Sequence, residues 1–471
     1  MRFLILPWVL SLSACSLTPA LVKPSAPVPV AYPQREGAAT TRHGADLGWR
    51  SMFADLRLQQ LIALALDNNR DLRLAALNVE AMQAQFGIQR AARLPGVEVG
   101  ATVARQRTTA SGGSTTGVAA AVQSQHGVSL GMSAFEVDLF GRVQSLSDAA
   151  FARYLASDHG RRATQIALVG AVADAYFAER LAQEQLALSE RTLSDWHQSL
   201  DLVRRLKEGR QNSGLDVAQA QALVETAAAD VEERRRGLAR ASNALRLLVG
   251  TDVPGKLPTG LPLQSQQVVV QLPEGLPSDL LYRRPDIQQA EQALVAANAD
   301  VGAARAAFFP RLSLTTSLGY TSPSIGALFD GGQRAWTFSP QLTVPLFSGG
   351  RLRSELRLAE VRKSSAVAEY ERVIQIAFRE VADGLAGRET YSAQSESQSR
   401  VVSNAEHRVF LASLRYRAGA DGRLELLDAQ RQLYSARQIQ LDLQRNEFSN
   451  AVALYKALGG GLMDAEVGDG P

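Results

Sequence analysis

Two rhythms of hydrophobic and polar positions run along this chain, and the longer rhythm predicts helices. Six segments are rich in Ala, Leu, Gln, Glu and Arg, contain almost no Pro and have helical spacing. They are residues 56–92, 142–208, 215–249, 286–307, 350–417 and 424–458. The two longest have roughly 65–68 residues, which is about 100 Å at a rise of 1.5 Å per residue. Because an ordinary globular helix has about 11–12 residues, these two are predicted to span a distance.

Both of the longest segments also carry an apolar stripe with heptad spacing in their last third. In the first segment the stripe is Leu186, Ser189, Leu193, Trp196, Leu200 and Val203, and in the second it is Val402, Ala405, Val409, Ala412 and Tyr416. This spacing predicts knobs-into-holes packing between neighbouring helices. Core packing within a helical bundle is the alternative, and it predicts nearly the same contacts.

The second rhythm alternates apolar and polar residues with period two, which predicts β-strands. It occupies residues 97–140 and 311–347, and each stretch is expected to form a β-hairpin. The strands are close to the ~9–11 residues that a tilted membrane strand needs. Four strands cannot close a barrel, and lipid excludes unpaired sheet edges. If these strands cross a membrane, two or three copies of the chain must therefore assemble.

The order of elements occurs twice in the sequence. At a constant offset of 215, nine of the thirty positions from 70 to 99 are identical, among them Gly87/Gly302 and Pro95/Pro310. Both prolines mark corners where a helix stops and a strand begins. The first predicted repeat covers residues 56–250, with a β-hairpin at 97–140 and a helical hairpin at 142–249. The second covers residues 286–459, with a β-hairpin at 311–347 and a helical hairpin at 350–458. A Pro-rich linker, 251–285, joins the repeats, and a tail follows at 460–471.

Each helical hairpin is predicted to turn through a loop that contains glycine. These loops are Gly209–Gly214 in the first repeat and Gly419–Gly422 in the second. A helix that ends in a left-handed glycine cap explains such a sequence without any binding role.

The first residues of the chain predict export and a lipid anchor. Residues 1–14 have the positive start, short apolar run and small residues of a signal peptide, and Leu12-Ser13-Ala14-Cys15 has the form of a lipobox. Cys15 is the only cysteine, so it is expected to carry N-acyl and S-diacylglycerol lipid and not a disulfide. An ordinary signal peptide with an incidental cysteine is the alternative. Residues 15–55 follow as a Pro-rich tether.

Net charge, apolar run length and the absence of catalytic motifs exclude several classes of protein. The net charge is only +3, so nucleic acid is not an expected partner. After the signal region there is no run of 18 apolar residues, which leaves strands as the expected means of crossing a membrane. The five histidines show no metal-ligand spacing, and no phosphate loop or serine elbow occurs. An enzyme is therefore not expected, and no metal or soluble cofactor is predicted.

Four short motifs occur in a fixed order after the lipobox. They are Arg283-Arg284-Pro285-Asp286-Ile287, Ala306-Ala307-Phe308-Phe309-Pro310, Val344-Pro345-Leu346-Phe347-Ser348-Gly349-Gly350, and Arg415-Tyr416-Arg417-Ala418-Gly419 leading into Leu426-Leu427-Asp428-Ala429-Gln430-Arg431. Together they make the mature chain resemble the TolC-like outer-membrane efflux proteins, in the lipoprotein branch typified by OprM and NodT.

The resemblance implies a complete α+β membrane channel. Its strands would form a 12-stranded outer-membrane barrel in a homotrimer, continued by a periplasmic helical barrel with a small equatorial domain. A periplasmic membrane-fusion adaptor and an inner-membrane pump, most simply of the RND type, are the implied partners, with outer-membrane lipid around the strands. The exported cargo would be small molecules such as drugs. Type I secretion, metal-ion efflux and, in another class, a structural coiled-coil envelope lipoprotein remain open.

The resemblance also implies roles for single residues. Leu424, Asp428 and Arg431 would constrict and latch a periplasmic gate. A surface ion pair between Asp428 and Arg431, three residues apart on one helix, is the alternative. Gly209, Gly214, Arg417 and Gly419, near Arg205, would meet the adaptor at the hairpin tips. Phe140, Phe308, Phe309 and Phe347 would form an aromatic girdle at the membrane interface, although packing at the helix-to-strand corners is an equal alternative.

Overall fold

The computed structural model describes residues 16–29, 48–109, 120–266, 268, 282–420 and 422–460. Within them the helices are α1 Trp49–Met52, α2 Leu56–Asn68, α3 Arg70–Ala91, α4 Arg142–Glu208, α5 Gly214–Val249, α6 Pro285–Ala306, α7 Arg351–Arg417 and α8 Arg423–Ala457. The strands are β1 Glu98–Thr109, β2 Ala120–Val137, β3 Arg311–Ser322 and β4 Arg334–Thr343. Short 3₁₀ turns include Leu263–Ser265 and Ile325–Ala327. The signal peptide, Cys15 and nearly all of the predicted C-terminal tail fall outside the described residues.

The two longest helices have the predicted lengths. Helices α4 and α7 each contain 67 residues, and their bounds agree with the sequence prediction to within one residue. The apolar stripe on α4 faces inward, since Trp196, Leu200 and Val203 are buried. Spacing and composition therefore located these helices correctly.

The single helix predicted over 56–92 is wrong, because Asn69 divides it into α2 and α3. Asn69 has an extended backbone, and its side chain accepts a hydrogen bond from the Leu72 amide at 3.0 Å. The same side chain donates to the Leu248 carbonyl at 2.9 Å. Asn69 thus caps α3 and ties the break to the end of α5.

The four strands form one antiparallel sheet in the order β1-β2-β3-β4. The central pair, β2 with β3, joins the hairpins of the two repeats. β2 has 18 residues, which is longer than the sequence predicted. A bulge interrupts its register between Met132 and Phe135, where Ala134 has a φ of 51°.

One face of this sheet carries an exposed apolar row across all four strands. Val99 pairs with Leu130, Leu130 with Leu318, and Leu318 with Trp336. Directly paired residues point to the same face of a sheet. The exposed fractions of Val99, Leu130, Leu318 and Trp336 are 74, 51, 45 and 74 %. Soluble monomers rarely expose contiguous apolar surface of this kind, so the row needs an apolar neighbour.

The chain divides into two units that cut across the repeats. The first unit contains the sheet with residues 79–157 and 290–370, and the second contains 158–289 and 371–460 with residues 48–78. A buried core in the second unit includes Trp49, Tyr176, Phe177, Leu263 and Tyr455. No helix among the described residues has the length and apolarity needed to cross a membrane.

Arg284, from the first sequence motif, joins the parts of α6, α7 and α8 that lie in the second unit. Its guanidinium donates to both carboxylate oxygens of Asp286 at the start of α6, at 3.0 and 2.7 Å. It also donates to Glu380 of α7 at 2.8 Å and to the Ala457 carbonyl of α8 at 2.9 Å. The Arg284 side chain is buried, so it satisfies the carbonyl that ends α8 where water is scarce.

We expect Arg284→Ala to lower the free energy of unfolding by roughly 2 kcal/mol. This is less than the ~3–5 kcal/mol for a fully buried pair, because Asp286 and Glu380 remain partly exposed and can be hydrated. The midpoint of helix unfolding in detergent measures the effect. Arg283→Ala, which removes the exposed neighbouring guanidinium, is the matched control, and equal midpoints for the two variants would contradict the assignment.

Candidate functional site

The two helical hairpins turn by different geometries. After α7, Gly419 has a φ of 71°, and the amide of Ala420 donates to the Arg415 carbonyl at 2.9 Å. After α4, the left-handed residue is Arg210, with a φ of 58°. The left-handed glycine cap that explains such loops without a binding role thus occurs at Gly419, whereas in the first hairpin the left-handed residue is an arginine. In the first hairpin, Ser213 and Asp216 form a capping box that starts α5.

An apolar cluster packs the α4–α5 hairpin against α8. Its buried members are Trp196, Leu200, Val203, Ala220, Val224 and Leu427. Arg423, the first residue of α8, also donates to the Ser199 hydroxyl of α4 at 2.8 Å. Burial lowers the pKa of the Arg423 guanidinium, and the charges of Tyr416 and Asp216 oppose that effect. The start of α8 is therefore fixed against the other hairpin.

The residues predicted to form a gate lie along the first turns of α8. Leu424 is 79 % exposed, whereas the neighbouring Leu427 is buried in the apolar cluster. Asp428 is partly buried, and Arg431 is exposed. The three predicted residues thus occupy one helix with spacings of four and three, but they do not contact one another as an ion pair.

Asp428 pairs with Arg408 of α7 instead of Arg431. The Arg408 guanidinium lies 2.9 Å from the Asp428 carboxylate and 2.7 Å from that of Glu425. It also donates to Gln432, whose amide donates back to Asp428 at 2.9 Å. The hydrogen bond to Glu425 is the largest cause of a raised pKa for Arg408. Sequence analysis missed Arg408, because no local motif marks a partner twenty residues away on another helix.

A partly buried polar cluster lies further along the same helices. The Ser189 hydroxyl of α4 donates to Asp230 of α5 at 2.6 Å and lies 2.7 Å from the Tyr434 hydroxyl of α8. Tyr434 also donates to Asp230. Burial would raise the pKa of Asp230, but these hydrogen bonds, together with the charge and hydrogen bond of Arg234, outweigh it and lower that pKa. The sequence did contain one signal, since Ser189 is a polar residue in an otherwise apolar stripe.

A cavity of about 510 Å³ borders this polar cluster. Residues of α4, α5 and α8 line it, including Trp196, Asp230 and Tyr434. Arg431 lies on its wall, and among the described residues the Arg431 guanidinium has no ion-pair partner. The positive charge of Arg431 is therefore available to the cavity and to solvent.

The four predicted interface aromatics all lie in the first unit. Phe140 and Phe309 stack with ring centroids 4.8 Å apart, which is packing at a helix-to-strand corner. Phe308 is 38 % exposed and Phe347 is 92 % exposed. The corner alternative thus describes Phe140 and Phe309, while Phe347 is free to meet an interface.

No group of three or more potential metal ligands occurs in the part of the chain that the structure describes. The Arg408 guanidinium is paired with Glu425 and Asp428 and that of Arg431 is unpaired among the described residues, and fixed charges of this kind can attract or repel ions.

Comparison with known proteins agrees with this architecture. The sequence profile of the outer membrane efflux protein family matches residues 61–251 and again 276–460. The chain is 46 % identical over 454 residues to the probable efflux pump outer membrane protein TtgC of Pseudomonas putida, covering 96 % of this chain and 93 % of that protein. It is 44 % identical over 457 residues to the outer membrane protein OprJ of Pseudomonas aeruginosa, covering 96 % and 94 %.

A solved structure shares the fold as well. The open state of the MtrE outer membrane channel of Neisseria gonorrhoeae superposes with a TM-score of 0.85 at 40 % identity. The alignment covers 95 % of this chain and 99 % of that one. Long helical hairpins joined to a four-stranded sheet thus define an outer-membrane channel of α+β class. The chain belongs to the outer membrane efflux protein family, and it works in efflux at the outer membrane.

Proposed function

We propose that three copies of this chain form one channel, in which twelve strands close a barrel in the outer membrane. The exposed apolar row Val99–Leu130–Leu318–Trp336 carries this proposal, because lipid is the apolar neighbour that such a row fits. Within the described sheet, β1 and β4 each have one neighbouring strand, so each offers a free edge to another copy. Closure by identical copies removes those edges from lipid.

The long helices support a periplasmic duct in the same assembly. A helix of 67 residues is about 100 Å long. We infer that this duct receives its cargo from an inner-membrane pump of the RND type through a membrane-fusion adaptor. The hairpin tips, with Gly209, Gly214, Arg417 and Gly419, are the surfaces that would meet the adaptor.

The cargo that fits best is small organic molecules. Relatives are named as toluene, solvent and antibiotic efflux pump proteins. A protein-secretion or metal-efflux duct would have the same architecture, but those names favour drugs and solvents here.

We propose two further contacts between the chain and the membrane. Cys15 would carry the covalent lipid, which anchors the N-terminus in the outer membrane. Phe308 and Phe347 would contribute to the interfacial girdle, since both are exposed beside the helix-to-strand corners.

The gate would lie where α8 begins. Leu424 supplies exposed apolar bulk and Asp428 and Arg431 supply charge, and three-fold repetition would arrange them as rings around the axis. Rings of this kind can close a pore by dewetting and by electrostatics.

Planar-bilayer conductance of the purified protein tests both the channel and the gate. We expect little current from the parent and large, stable openings from Asp428→Ala/Arg431→Ala, because the charged rings are removed. Absence of current from both would favour a structural envelope lipoprotein. Equally large currents from both proteins would support the channel but contradict a gate at Asp428 and Arg431.

A further inference from the structure

The segment Ser16–Lys23 follows the surface of α6 without forming a helix or a strand. The Thr18 hydroxyl lies 3.1 Å from that of Ser145 in α4, and Asn298 of α6 donates to the Pro19 carbonyl at 2.8 Å. Lys23 pairs with Glu291 of α6 at 2.5 Å. Ser145 and Asn298 are 1 and 5 % exposed, so the segment reaches buried polar groups.

The lengths of the two elements match along this contact. Thr18 packs at Gly302 and Lys23 pairs with Glu291, so five residues of the segment run antiparallel to eleven residues of α6. Five extended residues and eleven helical residues each cover about 17 Å. The contacts therefore lie in one continuous register.

Gly302 provides the space in which the segment packs. A Cβ atom at Gly302 would lie 2.2 Å from the Thr18 hydroxyl oxygen and 2.8 Å from its Cα. Gly87 occupies the same place in the first repeat, at the offset of 215, and a Cβ there would meet nothing within 4 Å. Among the described residues, the space beside this repeated glycine is therefore filled by another chain segment in the second repeat and is open in the first.

The two helices that the segment touches flank the join between the repeats. Helix α4 follows β2, and α6 precedes β3, while β2 and β3 form the central pair of the sheet. We propose that Ser16–Lys23 is a strap that binds across α4 and α6 and stabilises the join between the two repeats, with Gly302 as its docking notch.

The strap has a consequence for whatever is attached to Cys15. Cys15 lies three positions before the docked Thr18, and three extended Cα-to-Cα steps reach at most about 11 Å. A lipid on Cys15 is thus tethered beside the end of α6 and the start of β3. Only this consequence rests on the lipid anchor proposed above; the docking of the strap does not.

A disulfide between Thr18→Cys and Ser145→Cys reports whether the strap is docked, because the two native hydroxyls are 3.1 Å apart. The 18–145 pair is identified by mass spectrometry after oxidation of the full chain. We expect the cross-linked fraction to fall roughly tenfold when Gly302→Ala is added, a change equivalent to about 1.4 kcal/mol. Gly87→Ala is the matched control. Both substitutions gain the same helix preference of alanine over glycine, but the new Cβ at position 87 meets no described atom within 4 Å, so Gly87→Ala should leave the cross-linked fraction unchanged.

The effect on the join is measured by the temperature at which the strand signal is lost. Gly302→Ala should lower it by several degrees and Gly87→Ala should not. Lys23→Glu should lower it as well, and the charge-swapped pair Lys23→Glu/Glu291→Lys should restore it, which keeps the test valid if Gly302→Ala fails to assemble. Equal cross-linking and equal melting in the two alanine variants, with no rescue by the swap, would overturn the strap. Conductance of the same samples reports separately on the channel.

Discussion

Asp55→Ala is expected to lower the free energy of unfolding of the second unit by roughly 4 kcal/mol. Asp55 is 2 % exposed and caps α2 by accepting from the Arg57 amide at 2.9 Å. It also accepts from the Tyr176 hydroxyl, the Leu261 amide and the Gln266 side chain, at 2.6, 2.9 and 2.8 Å. Loss of the cap costs about 1 kcal/mol, and each of the three other buried donors left without its acceptor costs about 1 kcal/mol more.

Asp67→Ala is the matched control, because it removes an exposed carboxylate from the same helix. Surface substitutions of this kind change stability by about 0.5 kcal/mol or less. The midpoint of denaturant-induced helix loss in detergent compares the two variants. If both midpoints move by the same small amount, Asp55 does not hold α2 to the segment that contains Leu261 and Gln266.

The same carboxylate makes stability depend on pH. Burial would raise the pKa of Asp55, but the hydrogen bonds from Tyr176, Gln266, Leu261 and Arg57 together lower it below its ordinary value. A group with a lowered folded pKa contributes stability above its unfolded pKa of about 3.9, and the contribution disappears as pH falls through the folded pKa. We therefore expect the midpoint to fall below about pH 4 in the parent. Asp55→Asn should flatten that dependence.

The sequence predicted the parts of this fold that depend on local pattern. Helices α4 and α7 are each followed by a loop that contains glycine, and their interiors are rich in helix-forming residues. Their bounds could therefore be located to within one residue. The two hairpins were recognisable because alternation with period two is itself a local signal. The repeat at an offset of 215 and the four short motifs identified the family, since a duplicated order of elements is visible without coordinates.

What the sequence did not predict depends on partners that are distant along the chain. Asn69 breaks a helical pattern because its side chain donates a hydrogen bond to the Leu248 carbonyl, 179 residues away in the sequence. The apolar row on the sheet exists only in the pairing register, in which a shift of one residue would move every side chain to the other face. The candidate gate follows the same rule: the motif located Asp428, but its ion-pair partner Arg408 lies on another helix.

Arg408→Ala is expected to make the channel several-fold more cation-selective, whereas Arg431→Ala should change selectivity much less. Both variants remove one positive charge per chain, so they match in net charge. They differ in pairing: Arg408 neutralises Glu425 and Asp428 together, and Arg431 has no ion-pair partner among the described residues. Without Arg408, two carboxylates at the start of α8 would face the pore uncompensated, which attracts cations and repels anions.

The reversal potential across a salt gradient in planar bilayers measures this difference, and its salt dependence tests the cause. Fixed charges act over the Debye length, which is about 30 Å at 0.01 M and about 3 Å at 1 M ionic strength. The shift caused by Arg408→Ala should therefore be large at low salt and small at high salt. Both variants change the net charge equally, so only the position and the pairing of the two arginines can separate their reversal potentials. An equal or larger shift of the reversal potential in Arg431→Ala would therefore mean that Arg431 lies nearer the constriction. A shift of the reversal potential that does not depend on salt concentration would instead mean that Arg408 keeps the α7–α8 hairpin closed by packing. Arg408→Gln retains part of the side chain without its charge, so in that case it would behave like the parent.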